Sequence, residues 1–133
     1  MNVLVDTSVW SLALRRTGVV GDPAKIELEQ LVEDGRAAII GPIRQEILSG
    51  IRTATQFELL RNHLRAFPDI LLTVEDYEQG ARFFNSCRSR GIQGSNTDFL
   101  ICAVAARLRI PILSTDADFR QYAGVLPIKV HRY

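Results

Sequence analysis

The chain has 133 residues, 47% of them hydrophobic and 23% charged, and its formal net charge is +1. These values are typical of one globular domain, residues 1–133, with a core of its own, and no apolar run reaches the length of a membrane span. Two cysteines in apolar surroundings, with no Cys/His cluster at ligand spacing, argue against a disulfide framework, a thiol nucleophile and a zinc site.

The N-terminal half alternates short apolar strands with helices. In chain order we predict a strand at 2–5, a helix from Thr7 or Ser8 to about Arg16, a turn at 18–21, a helix from Pro23 to Gly35, a strand at 37–40, a helix at 41–50 and a helix at 53–66. The opening segment MNVLVDTSVW has no basic region and no small-residue cleavage site. We therefore expect it to be mature structure, and the protein to be cytoplasmic.

The C-terminal half continues the alternation. We predict a short strand or an extended link at 70–72, and a helix from Thr73 to Gly91 with the apolar stripe Tyr77, Ala81, Phe84 and Cys87. A helix at 97–109, a strand at 112–114, a short helical piece after Asp116 and a last strand at 128–131 follow. Strands that alternate with helices favour a parallel sheet. We expect an α/β fold, a three-layer α/β/α sandwich around a mainly parallel sheet of four to five strands.

Four carboxylates lie where a strand meets a helix or on the first turns of a helix. They are Asp6 in VLVDTSVW, Glu46 in GPIRQEILSG, Asp98 in SNTDFLICAVA and Asp116 in ILSTDADF. Ligands of parallel sheets bind beyond the carboxyl ends of the strands, so we expect these acids to converge there. Clustered carboxylates repel one another unless a cation compensates them, and oxygen ligands favour Mg²⁺ or Mn²⁺. The pattern therefore indicates a metal-dependent enzyme that acts on phosphates.

Each acid also has an ordinary structural explanation. Asp6 suits an N-cap, Glu46 a solvated helix face, and Asp116 a turn in which the side chain bonds its own backbone. Asp98 suits the positive end of a helix dipole, although the Asn-Thr dipeptide before it could cap that helix and leave the carboxylate free. Taken singly, these residues leave both interpretations open.

The order and spacing of the motifs carry more information than any one of them. The chain has a first strand ending in D-T-S, a mid-chain P-x-x-x-E-I, a late D-F-L-I-C-A-V-A helix and a final S-T-D-x-D-F. Across essentially its whole length this pattern resembles the PIN-domain ribonucleases, and more narrowly the VapC-type toxins of bacterial and archaeal toxin–antitoxin pairs. One departure is Ser114, where the family usually has threonine; the hydroxyl group is kept.

The resemblance implies a role for each matching residue. The metal-binding and catalytic acids would be Asp6, Glu46, Asp98 and Asp116, with Asp118 as a further ligand or helper. Groups that orient the ligands or contact phosphate would be Thr7, Ser8, Asn96 and Ser114. Candidate RNA contacts, on elements near the predicted pocket, are Arg15, Arg16, Arg44 and Arg52.

The resemblance also implies the reaction and the partners. We expect hydrolysis of an RNA phosphodiester by a water that Mg²⁺ or Mn²⁺ activates, with a structured substrate such as a tRNA or rRNA loop. It further implies a homodimer and a cognate antitoxin that covers the acidic pocket. His63 and His131 are expected at the surface and not as general bases, and Trp10 is expected to be partly buried.

Two other classes of function compete with this interpretation. A Mg²⁺-binding phosphoacceptor domain would cluster acids in the same way, but it usually has adjacent acids after its first strand, where this chain has Asp6 alone. A non-catalytic RNA- or protein-binding module of the same fold would not need all four acids. The excess of arginine, fourteen against two lysines, fits a nucleic-acid surface. A genome of high G+C content would give the same excess.

Overall fold

The structure is a computed structural model that describes residues 1–14 and 21–133. Predictions for Arg15, Arg16 and the turn at 18–20 lie outside the described residues. The strands are β1 (Val3–Val5), β2 (Ala37–Ala38) and β3 (Ile112–Leu113). The helices are α1 (Thr7–Leu14), α2 (Pro23–Glu33), α3 (Gly41–Leu48), α4 (Ala54–Leu64), α5 (Val74–Arg88), α6 (Asn96–Leu108) and α7 (Asp118–Ala123). In this part of the chain, no helix is long and apolar enough to cross a membrane.

The sheet is parallel, with β1 between β2 and β3. Single parallel bridges extend it on both sides, from Ile39 to Asp69 and from Ile112 to Val130. The predicted strands at 70–72 and 128–131 are thus reduced to one bridge each, and the first lies at Asp69, just before the predicted segment. The continuous sheet of the described residues has three strands, narrower than the four to five predicted, but its parallel α/β character is confirmed.

The core surrounds β1. Val3, Leu4 and Val5 have no exposed surface. Successive side chains of a strand point to opposite faces, so both faces of the sheet are covered, as in parallel sheets generally. Helix α6 contributes a run of buried residues from Phe99 to Ala105. The chain passes from β1 to β2 on one side and later to β3 on the other, which makes the carboxyl end of β1 a topological switch point, the usual ligand position in such folds.

Side-chain caps begin several helices at the predicted positions. Asp22, the residue before Pro23, accepts hydrogen bonds from the backbone N–H groups of Ala24 and Lys25. Thr73 forms a capping box with Asp76. For α6 the prediction was wrong: the cap is Ser95, not Asn96 or Thr97. Asp98 returns the bond to Ser95 in a second capping box, so its carboxylate is not left out of the helix cap.

The buried face of α5 also differs from the predicted stripe. Tyr77 is 57% exposed, whereas Asp76, Gly80, Phe83 and Cys87 are buried. The predicted face is rotated by one residue from the observed one. The apolar pattern treated Tyr77 as a core residue and treated Asp76, which is polar, as a surface residue. A Cβ atom at Gly80 would lie about 3.5 Å from the backbone of Leu100, an ordinary packing distance, so α5 and α6 are in close contact here.

Candidate metal centre

Asp6 lies at the carboxyl end of β1 and is only 7% exposed. Its backbone N–H donates to the Leu113 carbonyl at 2.9 Å, which fixes it beside β3. The hydroxyl groups of Ser8 and Ser114 donate to its Oδ2 at 2.9 and 2.8 Å. These bonds satisfy one carboxylate oxygen and join the ends of two neighbouring strands, so the position and orientation of the Asp6 carboxylate are fixed.

Glu46 reaches the same place from α3, which begins after β2. The residue is exposed. Burial of the carboxyl group raises its pKa, and the negative charges of Asp6 and Asp98 raise it further, while the nearby hydroxyls of Thr7 and Thr97 lower it in part. The three acids therefore lie close enough for their charges to interact across three separate elements.

Asp98 occupies the first turn of α6 and is half-buried. Burial raises the pKa of its carboxyl group, hydrogen bonds from Tyr122 and Ser95 oppose this, and the charge of Asp6 raises it again, with a net upward shift. The Tyr122 hydroxyl donates to Oδ2 at 3.0 Å from a fully buried ring. Asp98 is thus fixed by a helix cap on one side and a core tyrosine on the other.

Tyr122 and Gly94 belong to this site although the sequence did not point to them. A Cβ atom at Gly94 would collide with the Tyr122 hydroxyl, so only glycine leaves room for the tyrosine–aspartate bond. The Gln93 carbonyl also lies 3.2 Å from that hydroxyl. The glycine pair in GIQGSN predicted a loop, but its contact with a helix near the C-terminus has no local sequence signal.

Among the described residues, Asp116 is linked to the cluster through Ser114. Its backbone N–H donates to Ser114 Oγ at 3.0 Å, the same hydroxyl that bonds Asp6. Its own Oδ1 accepts from the Asp118 N–H at 2.9 Å, which is the turn geometry considered above as its structural explanation. Both Asp116 and Asp118 are exposed. The structure therefore brings Asp6, Glu46 and Asp98 together and leaves Asp116 and Asp118 at the edge.

Among the described residues, no arginine, lysine or histidine forms an ion pair with Asp6, Glu46 or Asp98. Within residues 1–14 and 21–133 the ion pairs engage other acids: Asp69, Glu58, Asp76 and Glu27. Thr7 Oγ1, near the Glu46 carboxylate, is buried and makes no hydrogen bond in that part of the chain. Uncompensated carboxylates beside an unsatisfied hydroxyl form a donor set of oxygen atoms, which suits a hard divalent cation.

The carboxylates are loosely grouped. Among the described residues, no set of three or more acidic, histidine or cysteine side chains is close enough to hold one ion by itself. Mg²⁺ commonly binds through one or two carboxylates and keeps several of its waters. The residues present therefore fit a hydrated Mg²⁺ or Mn²⁺ ion better than a closed cage of protein ligands.

The remaining predicted contacts have different surroundings. Arg44 pairs with Asp69 at 2.8 Å and donates to the Leu64 and Phe67 carbonyls, so its guanidinium already joins α3 to the end of α4. Arg52 and Asn96 are exposed. Arg15 and Arg16 lie outside the described residues. The roles of Ser8 and Ser114 as groups that orient a ligand have direct hydrogen bonds in their favour, and their function stays a prediction.

The predicted positions of the tryptophan and the histidines are partly confirmed. Trp10 is 2% exposed, and its indole N–H donates to the Val5 carbonyl at 3.1 Å, so it belongs to the core. His63 is exposed, as predicted. The prediction for His131 was wrong: its side chain is 15% exposed and its Nε2 lies 3.1 Å from Glu27, because its segment packs beside α2.

The chain is similar to a known protein family in sequence and to several solved structures in fold. The family model described as the PIN domain matches residues 3–125. Similar solved structures include VapBC2 from Rickettsia felis bound to a promoter DNA fragment, with TM-score 0.78, 14% identity and coverage of 100% of this chain and 99% of that one. FitAcB from Neisseria gonorrhoeae has TM-score 0.76, 17% identity and coverage of 98% and 96%.

A third similar structure is VapBC-5 of Mycobacterium tuberculosis, from the VapBC family of toxin–antitoxin systems. Its TM-score is 0.72 at 20% identity, and the match covers 99% of this chain and 98% of that one. At these identities the structural likeness shows the fold. Among curated proteins none matches the sequence.

Proposed function

The chain belongs to the PIN-domain family, and from this premise we propose that it is a divalent-metal-dependent endoribonuclease, a toxin of the VapC type restrained by an antitoxin. The observation that carries the proposal is the group formed by Asp6, Glu46 and Asp98. These acids come from three elements, interact electrostatically and have no cation among the described residues. They lie at the topological switch point of the sheet, where a substrate has access.

A hydrated Mg²⁺ or Mn²⁺ ion would lie among Asp6, Glu46 and Asp98, bound directly by one or two of these carboxylates and through its waters by the rest. Asp116 and Asp118 are outer candidates. When bound, such an ion lowers the pKa of a coordinated water, neutralises phosphate charge and stabilises the leaving oxygen. The protein's own contribution is to hold the carboxylates in place. Ser8 and Ser114 hold Asp6, and Tyr122 holds Asp98.

The proposal includes the substrate and the protein partner. RNA is proposed because the family resemblance and the arginine-rich composition both favour it, with a tRNA or rRNA loop as the expected target. The antitoxin is proposed by analogy with toxin–antitoxin structures of the same fold, including the complex from Klebsiella pneumoniae at TM-score 0.66. An arginine of that partner would pair with the uncompensated carboxylates and so displace a metal ion.

A homodimer is part of the same proposal. Leu71, Val74 and Tyr77 are 84%, 71% and 57% exposed around the start of α5. Exposed apolar side chains grouped in this way are typical of a surface that another molecule covers. Sedimentation analysis should give a dimer, and Val74→Glu should shift the mass to that of a monomer.

An RNA-cleavage assay tests the proposed activity. The wild type, Glu46→Gln and the exposed control Glu33→Gln would each be incubated with total tRNA or rRNA in Mn²⁺, with and without EDTA. We expect discrete fragments from the wild type and from Glu33→Gln, and a loss of about 100-fold or more in Glu46→Gln because one of the proposed metal-binding carboxylates is removed. Cleavage that persists in EDTA, or full activity of Glu46→Gln, would contradict the proposal.

A further inference from the structure

We propose that a groove at the C-terminal edge of the sheet binds the phosphodiester backbone of single-stranded RNA beside the scissile phosphate. The C-terminal groove is an open cavity of about 1030 Å³ bordered by Ser114, helix α7 and residues 129–133. The inference rests on the proposed function, because it extends the same site towards its substrate. It also places the RNA contacts away from the arginines that the sequence indicated.

The C-terminal groove carries charge of one sign. Arg120, Lys129 and Arg132 line it and are exposed. None of the three forms an ion pair within the described part of the chain, and the residues that line the groove include no acid. Three free cations along an open cavity favour a polyanion, and each phosphate they neutralise releases condensed counterions.

The segment that carries two of these cations is anchored. Ile112 N–H donates to the Lys129 carbonyl at 2.9 Å, and His131 N–H donates to the Ile112 carbonyl at 2.8 Å. The contact of His131 with Glu27 at 3.1 Å fixes the segment to α2 as well. Lys129 and Arg132 are therefore attached to a backbone held against the sheet, which limits the entropy lost when they bind a ligand.

One end of the C-terminal groove meets the acid centre. Ser114 lines the groove, and its Oγ lies 2.8 Å from Asp6 Oδ2. An RNA strand with one phosphate at the carboxylates would therefore have its neighbouring phosphates beside the cations. The carboxylates repel phosphate unless a metal ion lies between them, whereas the cations of the groove attract phosphate directly. The groove would therefore position the RNA strand relative to the acid centre.

The lining favours RNA over an acidic protein segment. Its apolar side chains are small, chiefly Ala123 and Val130, and offer no deep anchor for a peptide. Tyr133, 58% exposed, adds an aromatic ring at the groove. Cations that follow a backbone, with an aromatic ring on which a base stacks, are the usual combination for single-stranded nucleic acid.

Fluorescence anisotropy with a labelled oligouridylate of about twelve nucleotides tests the inference, with EDTA present so that cleavage does not interfere. The groove variant would be Arg120→Gln/Lys129→Gln/Arg132→Gln. The matched control would be Arg65→Gln/Arg82→Gln/Arg90→Gln, which removes three exposed cations elsewhere on the surface. The dissociation constant would be measured between about 50 and 200 mM salt.

We expect the slope of log affinity against log salt to fall by about 2 in the groove variant, since each single-strand phosphate contact contributes about 0.7. Each single substitution should lower it by about 0.7, which keeps the test valid if the triple variant fails to fold. Equal losses in the control, or an unchanged slope in the groove variant, would overturn the inference. The inference would also be overturned if an acidic peptide, such as a twelve-residue polyglutamate, bound the wild type as tightly as the RNA does and its binding were lost in the groove variant.

Tyr133 provides an independent readout. Tyr133→Ala should weaken binding about fivefold or more at every salt concentration, because base stacking is lost, whereas Tyr133→Phe should bind like the wild type. If binding changes as expected but the wild type does not cleave RNA in Mn²⁺, the inference about the groove is supported and the proposed activity is contradicted. If cleavage occurs and the groove variant has an unchanged KM, the groove fails and the activity stands.

Discussion

Two groups of acids in this molecule have opposite surroundings. Asp76 is 2% exposed, returns a capping bond to Thr73 and receives Arg107 through two nitrogen atoms at 2.8 and 2.9 Å. Asp6 and Asp98 accept hydrogen bonds from hydroxyl groups. Within the described residues, none of Asp6, Glu46 and Asp98 forms an ion pair. A charge with a built-in partner serves the fold, whereas a cluster with no charged partner among the described residues is a candidate site for a cationic ligand.

The pKa shifts follow this difference. Burial raises the pKa of Asp76, but its hydrogen bonds and the charge of Arg107 lower it more, so the net shift is downward. The pKa of Glu46 and that of Asp98 are raised, first by burial and then by neighbouring carboxylates. The two groups should therefore respond in opposite ways to substitution and to pH, and the predictions below test that contrast.

The largest expected effect separates activity from stability. Asp6→Asn keeps an oxygen acceptor for Ser8 and Ser114 but removes a charge, so RNA cleavage should fall by about 100-fold or more with little loss of stability. Asp76→Asn should cleave at the wild-type rate per folded molecule. Cleavage rates and urea midpoints of both variants would be compared; equal losses of activity would abolish the distinction between the groups.

The next effect concerns stability at the paired acid. Asp76→Ala removes the capping bond and leaves Arg107 without its partner, so the free energy of unfolding should fall by about 2–4 kcal/mol. The exposed acid Glu78, on the same helix, provides the matched control, and Glu78→Ala should change it by no more than about 0.5 kcal/mol. Urea denaturation followed by circular dichroism measures both values, and similar losses would show that the Arg107 contact is not stabilising.

A third prediction concerns the tyrosine that holds Asp98. Tyr122→Phe deletes only the hydroxyl, so the core should remain packed while cleavage falls by about tenfold, the scale of partners that orient metal ligands. Gly94→Ala should have a similar effect on activity, because its Cβ would displace the same hydroxyl. Wild-type rates in both variants, with normal thermal melts, would show that the Tyr122–Asp98 bond has no role in the reaction.

The smallest effect is in the metal-free protein. Glu46→Gln should stabilise it by about 0.5 kcal/mol at neutral pH, a small gain since solvent screens a partly exposed carboxylate. A raised pKa means that Glu46 costs stability as pH rises above its unfolded value of about 4.3, so the gain should vanish below about pH 4. Asp76 has the opposite sign: its stabilisation is present above an unfolded value of about 3.9 and is lost as pH falls.

Urea titrations of wild type, Glu46→Gln and Asp76→Asn at neutral and acidic pH measure this contrast. At neutral pH, Glu46→Gln should have a higher free energy of unfolding than the wild type and Asp76→Asn a lower one. Both differences should shrink at low pH. A loss of stability in Glu46→Gln at neutral pH would mean that this carboxylate has an unidentified cation or donor.

The sequence predicted what depends on local chemistry. Asp22-Pro23 and Thr73 begin their helices as expected, and Asp6 and Asp98 occupy the first strand end and the start of the apolar helix. The narrow sheet was not predictable, since the pairing of segments 69 and 130 depends on backbone geometry between distant elements. The rule that ligands bind beyond the carboxyl ends of parallel strands predicted that the acids would converge. The resemblance to PIN domains then assigned a role to each acid.

The missed features share a physical cause. Asp76 pairs with Arg107 from a helix 31 positions later, and Tyr122 reaches Asp98 from 24 positions away. The two partners of each contact belong to different elements, so neither local periodicity nor a short motif marks them. The burial of Asp76 in turn shifted the predicted face of α5, because an aspartate does not count as apolar.

Thermal unfolding in the presence of Mn²⁺ tests most directly whether Asp6, Glu46 and Asp98 bind a divalent cation, because it detects metal binding without depending on an RNA substrate. Binding to the folded state should raise the melting temperature of the wild type with concentration, as mass action requires. Asp6→Asn should lose most of this rise, and Asp76→Asn should keep it despite a lower starting temperature. A wild type indifferent to Mn²⁺ and Mg²⁺, or an equal rise in Asp6→Asn, would contradict the account.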